Sequence, residues 1–137
     1  MMNLPSSKEI VEDMAFFDDW EQRYQYIIDL GKSISPIDES LKTDDNLVRG
    51  CQSSVWLVST ERDGKLQFQA DSDAVIVNGL LALVMAVFND KTMEQILDFN
   101  ISGYFQELDL ERHITPTRGN GLHAIVAKIQ ALAKIKK

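Results

Sequence analysis

Cysteine is nearly missing from this chain. Cys51 is the only one among 137 residues. That excludes a disulfide within the chain and any zinc or iron–sulfur site that needs several cysteines from one copy. Long apolar runs are missing too. The best stretch, Ala74 to Phe88, is interrupted by Asn78 and Gly79 and falls short of the roughly 18 apolar residues of a membrane span. Met1 to Asp13 is polar and acidic, without the basic-then-apolar pattern of a secretion leader, so the expected location is the cytoplasm and the expected cysteine a free thiol.

Positive charge is in short supply. Fourteen Lys and Arg stand against 21 Asp and Glu, a net charge of −7. This argues against nucleic-acid binding, which needs a basic footprint. The excess is lopsided: residues 1–45 hold eleven acids and four bases, while residues 46–137 hold ten of each. A solvated acidic surface explains this, and so does a surface that steers a basic partner. What remains is ordinary globular material, 45% hydrophobic and 26% charged. The length fits a single domain over residues 1–137, able to bury about 68–70% of the surface its unfolded chain exposes.

Ser6 and Glu9 have capping-box spacing ahead of Ile10, Val11 and Met14. Trp20, Tyr24, Ile27 and Ile28 form one stripe of a second helix, and Gly31 fits a left-handed residue past its end. Ser33 to Asn46 reads as loop. Leu47–Arg49, Ser54–Thr60 and Lys65–Ala70 read as three strands of an antiparallel meander, with Asp63-Gly64 as a hairpin turn. Asp71, Ser72 and Asp73 offer N-caps for a helix from Ala74 to Phe88 that is apolar nearly all round and therefore central. Thr92 and Gln95 have capping-box spacing before Met93 to Phe99. A short helix is expected from Ser102 to Leu108. A last one follows Thr117, with Leu122, Ile125, Val126, Ile129 and Ala133 as its buried stripe. The order predicts an α+β fold, a small three-stranded antiparallel sheet packed against helices.

Cys51 falls in Arg49-Gly50-Cys51-Gln52-Ser53, between two expected strands. Gly50 lets the backbone turn. In extended chain Arg49 and Cys51 point the same way, and a cation beside a thiol favours the nucleophilic thiolate. A buried, inert cysteine is the competing reading. A Cys/His hydrolase needs a base, but His113 and His123 read as capping or helix-surface residues. Neither has metal-ligand spacing with the cysteine, and no metal site is expected. The glycines form no phosphate loop, since no Gly-Lys-Ser/Thr follows them. Trp20 and Trp56 read as core. Arg118 falls in the first turn of the last helix, where a cation opposes the dipole, so an acidic partner or a place near the cysteine loop is expected for it.

Four segments taken together resemble the SufE family of sulfur acceptors for cysteine desulfurases. They are Gly50-Cys51-Gln52-Ser53-x-Val55-Trp56; Asp71-Ser72-Asp73-Ala74-x-Ile76-Val77-x-Gly79-Leu80; Leu110-x-x-His113-Ile114-Thr115-Pro116-Thr117-Arg118-x-x-Gly121-Leu122; and Trp20-Glu21-x-x-Tyr24-x-x-Ile27-Ile28-x-Leu30-Gly31. Gln52 and Ser53 after the cysteine resemble the Suf-type branch more than the Csd-type. Arg49 stands at a position variable in that family, Gly119 where serine is frequent, and Ile34 to Asn46 matches poorly.

The resemblance implies a fold like the U-type iron–sulfur scaffold proteins, but one cysteine is too few to hold a cluster. It implies a carrier. A pyridoxal-phosphate desulfurase would take sulfur from L-cysteine, Cys51 would accept it as a persulfide, and an iron–sulfur scaffold complex would receive it. The chain itself would need no cofactor and no stand-alone turnover. Arg49, Gly50, Gln52 and Arg118 are expected to support the cysteine loop, Asp71 and Asp73 to contact the desulfurase. A monomer or weak homodimer is expected, with neither nucleic acid nor membrane as partner. Such a carrier needs a reachable thiolate on a loop tip and an apolar shelter from stray thiols. A single-cysteine redox sensor, lacking a resolving cysteine, and a non-catalytic interaction module are the other classes open to this sequence.

Overall fold

The computed structural model describes residues 4–34, 37–50 and 54–136. Helices α1 (Ser7–Phe16) and α2 (Trp20–Gly31) lead into the β1 (Val55–Arg62) and β2 (Lys65–Ser72) hairpin. Then come α3 (Val75–Phe88), the two-residue strand β3 (Lys91–Thr92), α4 (Met93–Asp98), α5 (Ile101–Leu108) and the long α6 (Pro116–Lys136). The sheet order is β1-β2-β3, all antiparallel. The α+β class expected from the element order is the one observed.

Local chemistry sets most boundaries. The side chains of Ser6, Asp19, Thr92 and Asn100 accept from the backbone N–H three residues on and so start α1, α2, α4 and α5. At Thr92 the capping box is complete, with Gln95 returning the bond. Helix α6 starts one residue earlier than Thr117. Thr115 Oγ1 accepts from Arg118 N at 3.2 Å and Pro116 occupies the first helical position, where its missing N–H costs nothing. In the hairpin, Asp63 and Gly64 have φ of +55° and +77°, the two left-handed residues of a tight turn that matches strand twist.

One face of the sheet turns Val55, Leu57, Leu66, Phe68 and Ala70 into the core. Helix α3 covers it, buried without a break from Gly79 to Met85. Each large side chain enclosed there stabilises by roughly 1.5–3 kcal/mol. Leu122, Ile125, Val126, Ile129 and Ala133 of α6 are all buried, as their spacing predicts.

Several expectations need correction. Leu47–Arg49 is not a strand. Leu47 makes a single bridge with Trp56, and the third strand is Lys91–Thr92 on the far side of β2. A two-residue strand is too short to show periodicity. Gly31 is the last residue of α2, with no left-handed φ. Its value is the missing side chain: a Cβ there would lie 2.6 Å from Gly79 N, and one on Gly79 would lie 2.5 Å from Ile27 O. The two glycines let α2 and α3 cross backbone against backbone. None of Asp71, Ser72 and Asp73 is the N-cap of α3, because β2 runs on through Ser72. Ala74 takes that position without a side-chain bond. The expected loop of residues 33–46 carries short 3₁₀ turns at Glu39–Leu41 and Asp44–Asn46. Trp56 is outside the core, on the opposite face of β1, with Lys42 Nζ 5.3 Å from its ring centroid.

Candidate functional site

Cys51, Gln52 and Ser53 lie outside the described residues. The structure therefore speaks to the two stems that enclose them. On the incoming side, Val48 is buried and its N–H donates to Val55 O at 2.8 Å. With the Leu47–Trp56 bridge, this ties the ends of segment 49–54 together. Gly50 has φ +95°, a conformation that an L side chain resists. A Cβ at Gly50 would meet the Ala124 Cβ of α6 at 3.3 Å. Glycine thus serves both a turn and a close approach there, and α6 is the wall behind the turn.

On the outgoing side, Ser54 is gripped by the end of β2. Its carbonyl accepts from Ser72 Oγ at 2.7 Å. Ser72 is buried, and its hydroxyl also accepts from Ala74 N at 3.2 Å. Asn78, one turn into α3, holds Ser72 from behind. Oδ1 accepts from Ser72 N at 2.9 Å, and Nδ2 donates to Ser72 O at 3.1 Å.

The two expected contact acids differ. Asp71 is largely covered. Its Oδ2 lies 3.4 Å from Lys42 Nζ, which also pairs with Glu39 at 3.1 Å, and its Oδ1 accepts from Ser72 N. The Glu39 bond foremost, then Asp71, pushes the Lys42 ammonium above its ordinary pKa. Asp73 is exposed, two residues before Val75, an apolar side chain 64% exposed at the start of α3.

Arg49 is exposed. Arg118 is exposed as well and makes no ion pair with a described residue, against the expectation of an acidic partner. It lies six residues before Ala124 on α6, about 9 Å along the axis. The histidines are engaged elsewhere. His113 stacks on Trp20 with centroids 3.9 Å apart, and its carbonyl accepts the Tyr24 hydroxyl. His123 Nε2 lies 3.1 Å from Glu111 on the surface. Among the described residues, no group of three or more His, Cys, Asp or Glu is placed to hold a metal ion. No helix among them is long and apolar enough to cross a membrane.

Sequence pattern does not mark Ser72, Asn78, Ala124 or Lys42 as parts of this site. Only Asn78 leaves a signal, a polar residue inside an otherwise apolar helix. Its purpose depends on Ser72, which pattern alone does not connect to it.

Residues 8–133 match the family model SufE, described as an Fe-S metabolism associated domain. A solution structure of a hypothetical protein from Thermus thermophilus has the same fold, with a TM-score of 0.78 and 21% identity over 98% of each chain. The family match ties the chain to iron–sulfur metabolism.

Proposed function

The chain belongs to the SufE family, and from that premise we propose that it is a sulfur carrier between a cysteine desulfurase and an iron–sulfur assembly scaffold, with Cys51 as the carrying residue. The observation that carries this reading is the position of the sole cysteine, on a segment whose ends are drawn together by the Val48–Val55 bond and turned by Gly50. A thiol on a segment between two such stems suits transfer between proteins, because donor and acceptor sulfurs must meet it head on.

The chemistry is thiol exchange at a sulfane sulfur. The desulfurase, whose pyridoxal phosphate removes sulfur from L-cysteine to leave alanine, presents a persulfide on its own cysteine. The Cys51 thiolate attacks the outer sulfur. A new S–S bond forms on Cys51 and the donor's S–S bond breaks. The donor cysteine leaves as a thiolate and takes up a proton from water. No external oxidant or reductant enters. A second exchange of the same kind hands the sulfur to the scaffold complex. One cysteine suffices, and this chain needs no cofactor of its own.

Gln52-Ser53 after the cysteine favours a Suf-type partner over a Csd-type one. Asp73 and Val75, exposed beside the outgoing stem, are the natural contacts for that partner. Asp71, engaged by Lys42, contributes mainly by holding the segment before β1 against the sheet. Arg49 and Arg118, both exposed cations, are available to a thiolate or persulfide at the turn. The carrier acts in the cytoplasm as one domain, monomeric or weakly dimeric.

The test is incubation with a cysteine desulfurase and L-cysteine, followed by intact mass. Wild type should gain the mass of one sulfur atom on Cys51 and speed the desulfurase. Cys51→Ala should fold normally, gain nothing, and leave the desulfurase at its basal rate. Continued stimulation by Cys51→Ala through repeated turnovers would overturn the carrier reading.

A further inference from the structure

Among the described residues, Ser72 is the only buried residue that is neither apolar nor aromatic. A buried hydroxyl is kept when its bonds are satisfied and its removal leaves another group wanting. Here that other group is the Ser54 carbonyl, at 2.7 Å. Ser54 is the first described residue after Cys51, so the bond grips the chain three residues past the cysteine. The hydroxyl is itself aimed. Asn78 spans the Ser72 backbone with an acceptor at 2.9 Å and a donor at 3.1 Å, fixing both peptide groups of the residue. Ala74 N donates to the same hydroxyl oxygen, leaving its proton for Ser54. The Val48–Val55 bond ties the incoming stem to the outgoing one. One bond that joins the two stems and one that holds the outgoing stem to β2 therefore flank Cys51 in the chain.

We infer that Ser72, aimed by Asn78, is a positioning residue for Cys51: by holding the Ser54 carbonyl it restrains the chain three residues past the cysteine and so governs the reactivity of its thiol. The functional meaning rests on the carrier reading, but the restraint can be measured without sulfur. A purely structural Ser72 would change stability and leave thiol reactivity alone. A positioning Ser72 changes reactivity in the folded protein.

The experiment follows Cys51 with dithiobis(nitrobenzoate) under native conditions. The Cys51 thiolate bonds to one sulfur of this aromatic disulfide, breaks its S–S bond and releases a coloured thiolate. Because Cys51 is the sole cysteine, the colour reports one site. Ser72→Ala and Asn78→Ala should each raise the second-order rate about threefold or more, as expected when a local restraint is lost without global unfolding. Ser72→Thr, which keeps the hydroxyl, should stay within about twofold of wild type, and so should Ile10→Val, which trims the buried face of α1 far along the chain. Unchanged or lower rates in both alanine variants would overturn the inference, as would an equal rise in Ile10→Val. If Ser72→Ala fails to fold, Asn78→Ala decides. Should wild type fail to accept sulfur from a desulfurase, the carrier reading falls while these rates still test the restraint.

Discussion

The crossing of α2 on α3 and the stems on either side of the Cys51 segment both depend on glycine, yet they are built differently. At the crossing, the nearest neighbour of each missing Cβ is backbone: Gly79 N for Gly31, and Ile27 O for Gly79, with Ile27 Cγ2 beside it. Main chain inside packed helices cannot step aside, so this contact has a single arrangement. At the stems, Gly50 faces a methyl group of Ala124 at 3.3 Å, and beside the buried Val48 and Val55 side chains the described stem residues are held by hydrogen bonds. Each of those contributes about 0.5–1.5 kcal/mol. The comparison teaches how the molecule divides its work. A helical platform fixed by backbone contact carries the stability, and stems held by separable hydrogen bonds as well as apolar anchors lie at its edge.

The sharpest way to break the platform is Gly79→Ala. Alanine in a helix gains about 1 kcal/mol of propensity over glycine. Against this, the new Cβ would lie 2.5 Å from Ile27 O and 2.6 Å from Ile27 Cγ2, closer than real Cβ contacts come. The steric term wins, and the variant should lose about 3 kcal/mol by chemical denaturation, the upper range for overpacking. A neutral result would mean that α2 shifts freely on α3, and the rigid half of the comparison would be gone.

Gly50→Ala tests the other side. The residue has φ +95°, so alanine must adopt a strained conformation costing on the order of 1–3 kcal/mol or let the turn change. Gly50 is exposed and the atom facing its missing Cβ is a side-chain methyl, not backbone, so relaxation there should absorb much of the strain. The expected loss of stability is about 1 kcal/mol, smaller than for Gly79→Ala. The effect on sulfur acceptance by Cys51 should be disproportionately large. A stability loss equal to that of Gly79→Ala, with unaltered sulfur acceptance, would show that the stem is part of the platform.

The same division explains what is legible in the sequence. Helix caps, the Asp63-Gly64 turn and the apolar stripe of α6 are local, written within a few residues of where they act. The glycine crossing is half legible: Gly31 and Gly79 stand out, but Gly31 suggests a helix end because its contact lies 48 positions away in the chain. Leu47 reads as part of a strand when it makes only one bridge, since a bridge and a short strand share the same composition. Trp56 reads as core because large aromatics usually are. The alternation along β1, with Val55 and Leu57 inward, puts it on the other face. Cys51 is visible because it is unique. Ser72 shows in the sequence only as a possible N-cap and Asn78 only as a polar break in an apolar helix, because their meaning lies in bonds to each other and to Ser54, which no periodicity encodes.

Tyr104→Phe sharpens the comparison with the smallest expected effect. Tyr104 and Ser72 make the same kind of bond, a buried hydroxyl donating to a backbone carbonyl. Tyr104 reaches Leu83 O in α3 at 3.1 Å, inside the platform, and Ser72 reaches Ser54 O at the stem. Loss of the Tyr104 hydroxyl should cost about 1 kcal/mol at neutral pH and leave Cys51 reactivity unchanged, the reverse of the pattern expected for Ser72→Ala. It has a second signature. Burial first, and the nearby Tyr26 second, hold the Tyr104 phenol well above its ordinary pKa of 10.0. A folded-state pKa raised above the unfolded value gives stability that is complete below about pH 10. The unfolded chain ionises above that pH while the folded protein cannot, so stability declines by up to about 1.4 kcal/mol per pH unit from this group. Tyr26, raised by burial and by its bond to Asp13, adds to the decline. Denaturation curves from about pH 9 to 11 should therefore show a shallower alkaline loss for Tyr104→Phe than for wild type. Equal slopes would mean that water reaches the Tyr104 phenol in the folded protein, and that the platform is looser at its centre than the α2–α3 crossing implies.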